Sequence, residues 1–201
     1  MVLLTGFEPF GGDQVNPSLE VVRRIGSEGV DGLRISTLVL PVDARRVPEM
    51  LAEALRRLRP DACLMLGLAG GVAALQIERV AVNLCDFRIP DNGGSQLIDE
   101  PVVAGGPAAY FATVPVRAMQ EAARGAGVPA ELSLSAGAFL CNMAMYAALH
   151  VCATESLATR CGFVHLPALP EQVLGDTRAR PTMALETICA GVRAMLRVLG
   201  E

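Results

Sequence analysis

Short runs that are apolar at every position constrain this chain more than any other feature. Cys63-Leu64-Met65-Leu66 has no polar residue at either parity, so a strand there must be covered on both faces. That is the condition of a parallel sheet packed between helices, not of a sheet with one wet side. Similar runs at Met1 to Thr5, Leu33 to Leu40, Ala62 to Leu66, Gln76 to Leu84, Leu132 to Ser135 and Gly162 to Leu166 read as strands. Between them, Val47, Met50, Leu51, Ala54, Leu55 and Leu58 recur at helical spacing, with Arg45, Arg46, Glu49, Glu53, Arg56 and Arg57 on the opposite side. Leu185, Ile188, Val192, Met195, Leu196 and Leu199 repeat that pattern in a helix closed by Gly200, and Asn16-Pro17 reads as a helix start. The expected fold is α/β: a three-layer α/β/α single domain over residues 1–201, with a twisted, mostly parallel sheet and helices on both faces.

The chain carries a net charge of −4 and its arginines are scattered, so it has no electrostatic footprint for nucleic acid. Aromatics are few and Trp is absent, which makes the core aliphatic. The first residues lack the basic and apolar regions of a signal peptide. The apolar stretch from Ala136 to Ala153 contains Asn142 and His150 and lacks basic flanks, so it reads as a buried helix rather than a membrane span. Six cysteines without CxxC pairs imply neither a disulfide framework nor a metal site, and a reduced, cytoplasmic protein is the expectation.

One of those thiols stands in a distinctive setting. Cys141 follows a Ser-Ala-Gly-Ala turn and precedes the helical Asn142-Met143-Ala144-Met145. A thiol at a helix start gains from the positive dipole end, and free N–H groups there can hold an oxyanion. If the helix began earlier, Cys141 would instead be a core cysteine. The chain has only two histidines. His150, nine residues on, falls on the opposite helix face and reads as structural. His165 sits at a strand's C-terminal end, where α/β folds place reactive groups. Glu78, on the same strand parity as Val80, Val82 and Leu84, needs a partner, either an imidazole to orient or an arginine. The glycine loops at Gly6 to Gly12 and Gly67 to Gly71 match neither nucleotide fingerprint. They still permit close backbone approach to a small ligand, which Phe7 and Phe10 would wall.

Five blocks, in order along the chain, resemble the pyroglutamyl peptidase I (pyrrolidone-carboxylate peptidase) family of cysteine peptidases. They are Gly6-Phe7-Glu8-Pro9-Phe10-Gly11-Gly12 with Asn16-Pro17-Ser18; Gly70-Gly71 before Glu78-Arg79-Val80-Ala81-Val82-Asn83; Arg88-Ile89-Pro90-Asp91-Asn92; Phe139-Leu140-Cys141-Asn142; and His165-Leu166-Pro167 with Gln172. The resemblance implies a cysteine-type omega-peptidase that removes an N-terminal pyroglutamyl residue from peptides. By motif position Cys141 is the nucleophile, His165 the acid/base and Glu78 its orienting carboxylate. Phe7, Phe10, Asn16 and Phe139 match the lactam pocket, and Arg88 the group that polarises the scissile carbonyl. The family further implies no cofactor, no metal and a cytoplasmic homo-oligomer, tetramer or dimer. Leu68 and Leu134 stand where many relatives carry Gln and Asn, Val72 where they carry Arg, and Ala138 replaces a hydroxyl residue. These departures leave open a catalytically weak or silent relative that binds N-blocked peptides in the same pocket.

Overall fold

The apolar strands assemble as their two-faced patterning requires. A computed structural model of the protein describes residues 1–200. Strands β1 (Val2–Phe7), β2 (Ile35–Leu40), β3 (Ala62–Leu68), β4 (Leu75–Glu78), β7 (Ala130–Ser133) and β8 (Arg160–Leu166) form a six-stranded sheet in the order β2-β1-β3-β8-β4-β7. The first four in that order are mutually parallel, whereas β4 runs antiparallel to β8 and β7 follows β4. Two further strands, β5 (Val80–Val82) and β6 (Ala109–Phe111), make a separate antiparallel ribbon.

Alternate residues of the central strands feed two cores. Val2, Leu4, Leu64 and Leu66 pack with Val21, Val22 and Ile25 of α1 (Pro17–Glu28), Met119 of α3 (Val116–Gly125), and Ile188, Val192 and Leu196 of α5 (Leu185–Gly200). Leu3, Cys63 and Met65 pack with Leu51 and Leu55 of α2 (Val47–Leu58) and with Met143, Ala144 and Leu149 of α4 (Leu140–Thr154). Helices α1, α3 and α5 thus cover one face and α2 and α4 the other, the expected three layers.

Local chemistry fixes the helix ends. Asn16 caps α1, its side-chain oxygen accepting from the Ser18 N–H at 3.0 Å with Pro17 at the first turn, a cap worth about 1 kcal/mol. Helix α2 stops at Arg59, which adopts the left-handed conformation at φ 42°. Helix α4 is buried on nearly every side and spans 15 residues. No helix among the described residues is long and apolar enough to cross a membrane.

Two sequence expectations need correction. The run Gln76 to Leu84 is not one strand, because Arg79 breaks it. The Arg79 N–H bonds to Ser133 O in the main sheet while its carbonyl accepts from Ala112 N beside the ribbon. The expected shared face therefore fails: Glu78 is wholly buried, whereas Val82 and Leu84 are 37% exposed. The Gly- and Pro-rich stretch from Arg88, which reads from sequence as a long loop, is a long connection, but its end at Ala109 opens β6.

Candidate active site

Three parallel strands, β1, β3 and β8, end at the same edge of the sheet, and the N-terminus of α4 points into the gap above them. A cavity of about 200 Å³ opens there. Its walls are Phe7 from the end of β1, Phe10 and Asn16 from the following loop, Leu68 from the end of β3 and Val42 from the β2–α2 loop. Ala136, Phe139, Leu140 and Cys141 come from the α4 start, and His165 from β8.

Helix α4 begins at Leu140, so Cys141 occupies its first turn and the reading of a thiol at a helix N-terminus holds. Its N-cap, Phe139, supplies no side-chain hydrogen bond. The first-turn N–H groups, which have no partner within the helix, are left for a ligand. Phe139 stacks edge-on against Phe87 at 4.6 Å and faces Phe10 at 6.0 Å, forming one aromatic side of the cavity.

Gly67 explains how the sulfur reaches the sheet. It pairs with His165 in the β3–β8 register. A Cβ at Gly67 would lie 2.8 Å from the Cys141 sulfur and 2.7 Å from the Phe163 ring, distances that side chains do not tolerate. Only a glycine leaves the space in which thiol, ring and strand meet.

The imidazole is held from the other side by the reversed strand. In the antiparallel β4–β8 pair, Gln76 lies opposite His165 and Glu78 opposite Phe163. Glu78 is therefore the diagonal neighbour of His165, within reach of its ring. Its Oε1 lies 2.8 Å from His165 Nδ1. The carboxylate is fully buried, and its Oε2 has no hydrogen-bond partner among the described residues. A buried carboxylate costs several kcal/mol unless paired, so its one bond to the imidazole carries that whole burden. With Nδ1 committed to Glu78, Nε2 is the nitrogen available to the Cys141 sulfur.

The electrostatics follow. Burial disfavours the His165 imidazolium, but the charge and hydrogen bond of Cys141, then the hydrogen bond and charge of Glu78, outweigh it. The His165 pKa rises from 6.5 to about 9. At neutral pH the raised pKa keeps the His165 ring protonated beside the Cys141 sulfur, with Glu78 on its other nitrogen.

Of the residues singled out from sequence, Phe7, Phe10, Asn16, Phe139, Cys141 and His165 line the cavity, with Glu78 behind His165. Arg88 does not line it; its side chain is exposed next to the buried Phe87. Asn16 spends its amide on structure, accepting from Ser18 and donating to the Glu8 carbonyl at 3.1 Å. Val42 and Leu140, which sequence reasoning did not single out, complete the apolar lining; their only signal was position after a strand and before the nucleophile. His150 lies near the far end of α4, 3.0 Å from the Tyr110 hydroxyl, as its structural reading required.

Comparison with known proteins agrees with this geometry. The family model described as pyroglutamyl peptidase matches residues 1–201. The pyrrolidone-carboxylate peptidase of Vibrio vulnificus (strain CMCP6) is 46% identical over 195 residues, covering 97% of this chain and 90% of the relative. That of Thermococcus kodakarensis is 45% identical over 200 residues, covering 100% of this chain and 96% of the relative. The crystal structure of pyroglutamyl peptidase I from Bacillus amyloliquefaciens superposes with a TM-score of 0.94 at 36% identity, covering 99% of this chain and 96% of that one. With the family model matching the whole chain, relatives this similar and the fold in agreement, this chain belongs to the pyroglutamyl peptidase family.

Proposed function

We propose that this chain is a cysteine peptidase that removes an N-terminal pyroglutamyl residue from peptides, with Cys141 as nucleophile, His165 as acid/base and Glu78 as its orienting carboxylate. The observation that carries this reading is the meeting of the first turn of α4 with the β8 imidazole, itself bonded to Glu78 at 2.8 Å. The Cys141 thiolate attacks the carbonyl that links the lactam to the next residue. First-turn N–H groups of α4 hold the oxyanion, and the imidazolium gives its proton to the departing amine. The neutral imidazole then takes a proton from water, which hydrolyses the thioester and restores the thiol. Side chains and water suffice for every step, so no cofactor enters.

The cavity supports the substrate class. It is small and walled by Phe7, Phe10, Phe139, Leu68 and Val42, and no acidic side chain lines it. A free N-terminal ammonium would find no counter-charge there, whereas an uncharged lactam loses little on entering. Arg88 does not line the cavity, and its assignment as the group that polarises the scissile carbonyl rests on motif position alone. We further infer action in the cytoplasm as a homo-oligomer, dimer or tetramer, and as one peptidase domain over residues 1–201.

Release of a fluorophore from a pyroglutamyl amide tests the reading directly. Wild type should turn the amide over, and Cys141→Ser should lose about 10³-fold or more in kcat. Equal rates for the two proteins would refute it. Leu68 in the lining, where many relatives carry a polar Gln, favours one second reading, a silent lactam binder. Tight binding of pyroglutamate by an inactive wild type would establish that reading instead.

A further inference from the structure

Asn142, directly after the nucleophile, is wholly buried, and every hydrogen-bonding group of its carboxamide is engaged. Its Oδ1 accepts from the Val82 N–H at 2.9 Å, and its Nδ2 donates to the carbonyls of Val82 at 2.9 Å and Leu84 at 3.0 Å. One side chain thus takes the place of a strand partner for Val82 and Leu84. The same stretch is tied a second time to the turn before Cys141, by the Asp86 N–H donating to the Ala138 carbonyl at 2.9 Å.

What this segment is attached to gives the contact its meaning. β5 follows β4 with only Arg79 between them, and β4 carries Glu78. Three residues, Arg79 to Ala81, therefore separate Glu78, which holds the imidazole, from Val82, which Asn142 holds. Besides the contact of Cys141 with the imidazole that Glu78 holds, Asn142 is the side chain that ties the start of α4 to the segment following Glu78. The Cys141 sulfur meets the His165 ring and packs beside Gly67 and the Phe163 ring, so Asn142 and the Asp86–Ala138 bond supply further polar ties at the α4 start.

We infer that Asn142 is a positioning residue: its carboxamide locks the first turn of α4 to the chain that carries Glu78 and so sets where the Cys141 sulfur stands relative to His165. This rests on the reading of Cys141 as nucleophile and goes beyond it, because Asn142 itself touches no reacting atom. Apolar substitution strands one part-buried N–H and two carbonyls, and the helix start shifts to rescue them. A displacement of order 1 Å between nucleophile and base costs about 10²-fold in rate.

The test compares Asn142→Ala and Asn142→Asp with Asn83→Ala as control. Asn83 ties the same segment to Val103 and Gly106 without touching α4. The readouts, on protein verified as folded, are kcat and KM for a pyroglutamyl amide, the rate of Cys141 alkylation by iodoacetamide, and Tm. Asn142→Ala should lower kcat and the alkylation rate together by about 10²-fold, while KM changes by less than about threefold, the mark of an interaction used in reaching the transition state. Asn83→Ala should lower Tm and leave the alkylation rate at the wild-type value.

Asn142→Asp keeps the shape and, while protonated, one of the two donated bonds. Burial holds that carboxyl neutral at acid pH, so its kcat relative to wild type should fall as pH rises and the carboxyl ionises against two carbonyls. This variant decides the matter if Asn142→Ala does not fold. Loss of Tm alone, with wild-type kcat and alkylation rate in folded Asn142 variants, overturns the inference. An inactive wild type would instead refute the peptidase reading on which it rests.

Discussion

Helix α4 carries a thiol near each end, and the two could hardly differ more. Cys141 sits in the first turn, half-buried, beside an imidazole and a cavity. Cys152 lies in the last turn, with its sulfur 3.6 Å from that of Cys161. The hydrogen bond to Cys161 and burial push the Cys152 thiol far above its ordinary pKa, and Cys161 is likewise raised. At the N-terminal end the positive helix dipole and the His165 imidazole face the sulfur, whereas at the C-terminal end the dipole is reversed. The same atom on the same helix stands at a cavity beside an imidazole or is packed into the core according to where along the helix it falls. The histidines divide in the same way: His165 is backed by Glu78, whereas His150 spends Nδ1 on the Tyr110 hydroxyl and stacks on Tyr146 at 6.0 Å.

That contrast is easiest to break with the two imidazoles. Replacing His165 with Gln removes the proposed proton shuttle and should cost at least about 10³-fold in kcat. His150→Gln should stay within a few-fold of wild type in the pyroglutamyl amide assay and lose some thermal stability. The opposite ranking would mean that the wrong ring had been assigned to the chemistry.

The pH dependence sharpens the comparison with a smaller effect. The His165 pKa is raised from 6.5 to about 9, so the imidazolium persists through neutrality and turnover should fall as pH rises through about 9. The same shift makes its contribution to folding complete below 6.5 and lost as pH climbs through about 9. Glu78→Gln removes two of the influences that raise the pKa and leaves burial, which lowers it. The alkaline limb of kcat/KM should therefore move to lower pH, with a reduced plateau. An unmoved limb in Glu78→Gln would show that the carboxylate does not tune the imidazole.

Much of this architecture was legible in the amino-acid order because the governing patterns are local. Two-sided apolarity in Cys63-Leu64-Met65-Leu66 demanded a covered sheet, and Asn16-Pro17 carried its cap with it. Cys141 and His165 were readable for the same reason, since a helix start and a strand end are short-range features. Three things were not. The break at Arg79 arises because one residue serves two sheets, which depends on Ser133 and Ala112, both distant in sequence. The pairing of Glu78 with His165 was legible only through motif resemblance, because it needs β4 to run against β8 and strand direction leaves no mark on side-chain alternation. Asn142 read as an ordinary member of a motif, because its three partners lie about 60 residues upstream. Helix α3 was a different kind of omission: Val116, Met119 and Ala123 repeat at helical spacing and the signal was available.

The most direct measurement is site-resolved alkylation by iodoacetamide at neutral pH, with labelled cysteines identified by peptide mass and residual turnover followed in parallel. Cys141 should take up one equivalent first, in step with the loss of activity, and Cys152 and Cys161 should stay unlabelled until the protein unfolds. Activity that disappears while Cys141 remains unmodified, or full labelling of Cys141 with turnover intact, would contradict the assignment of this sulfur as the nucleophile.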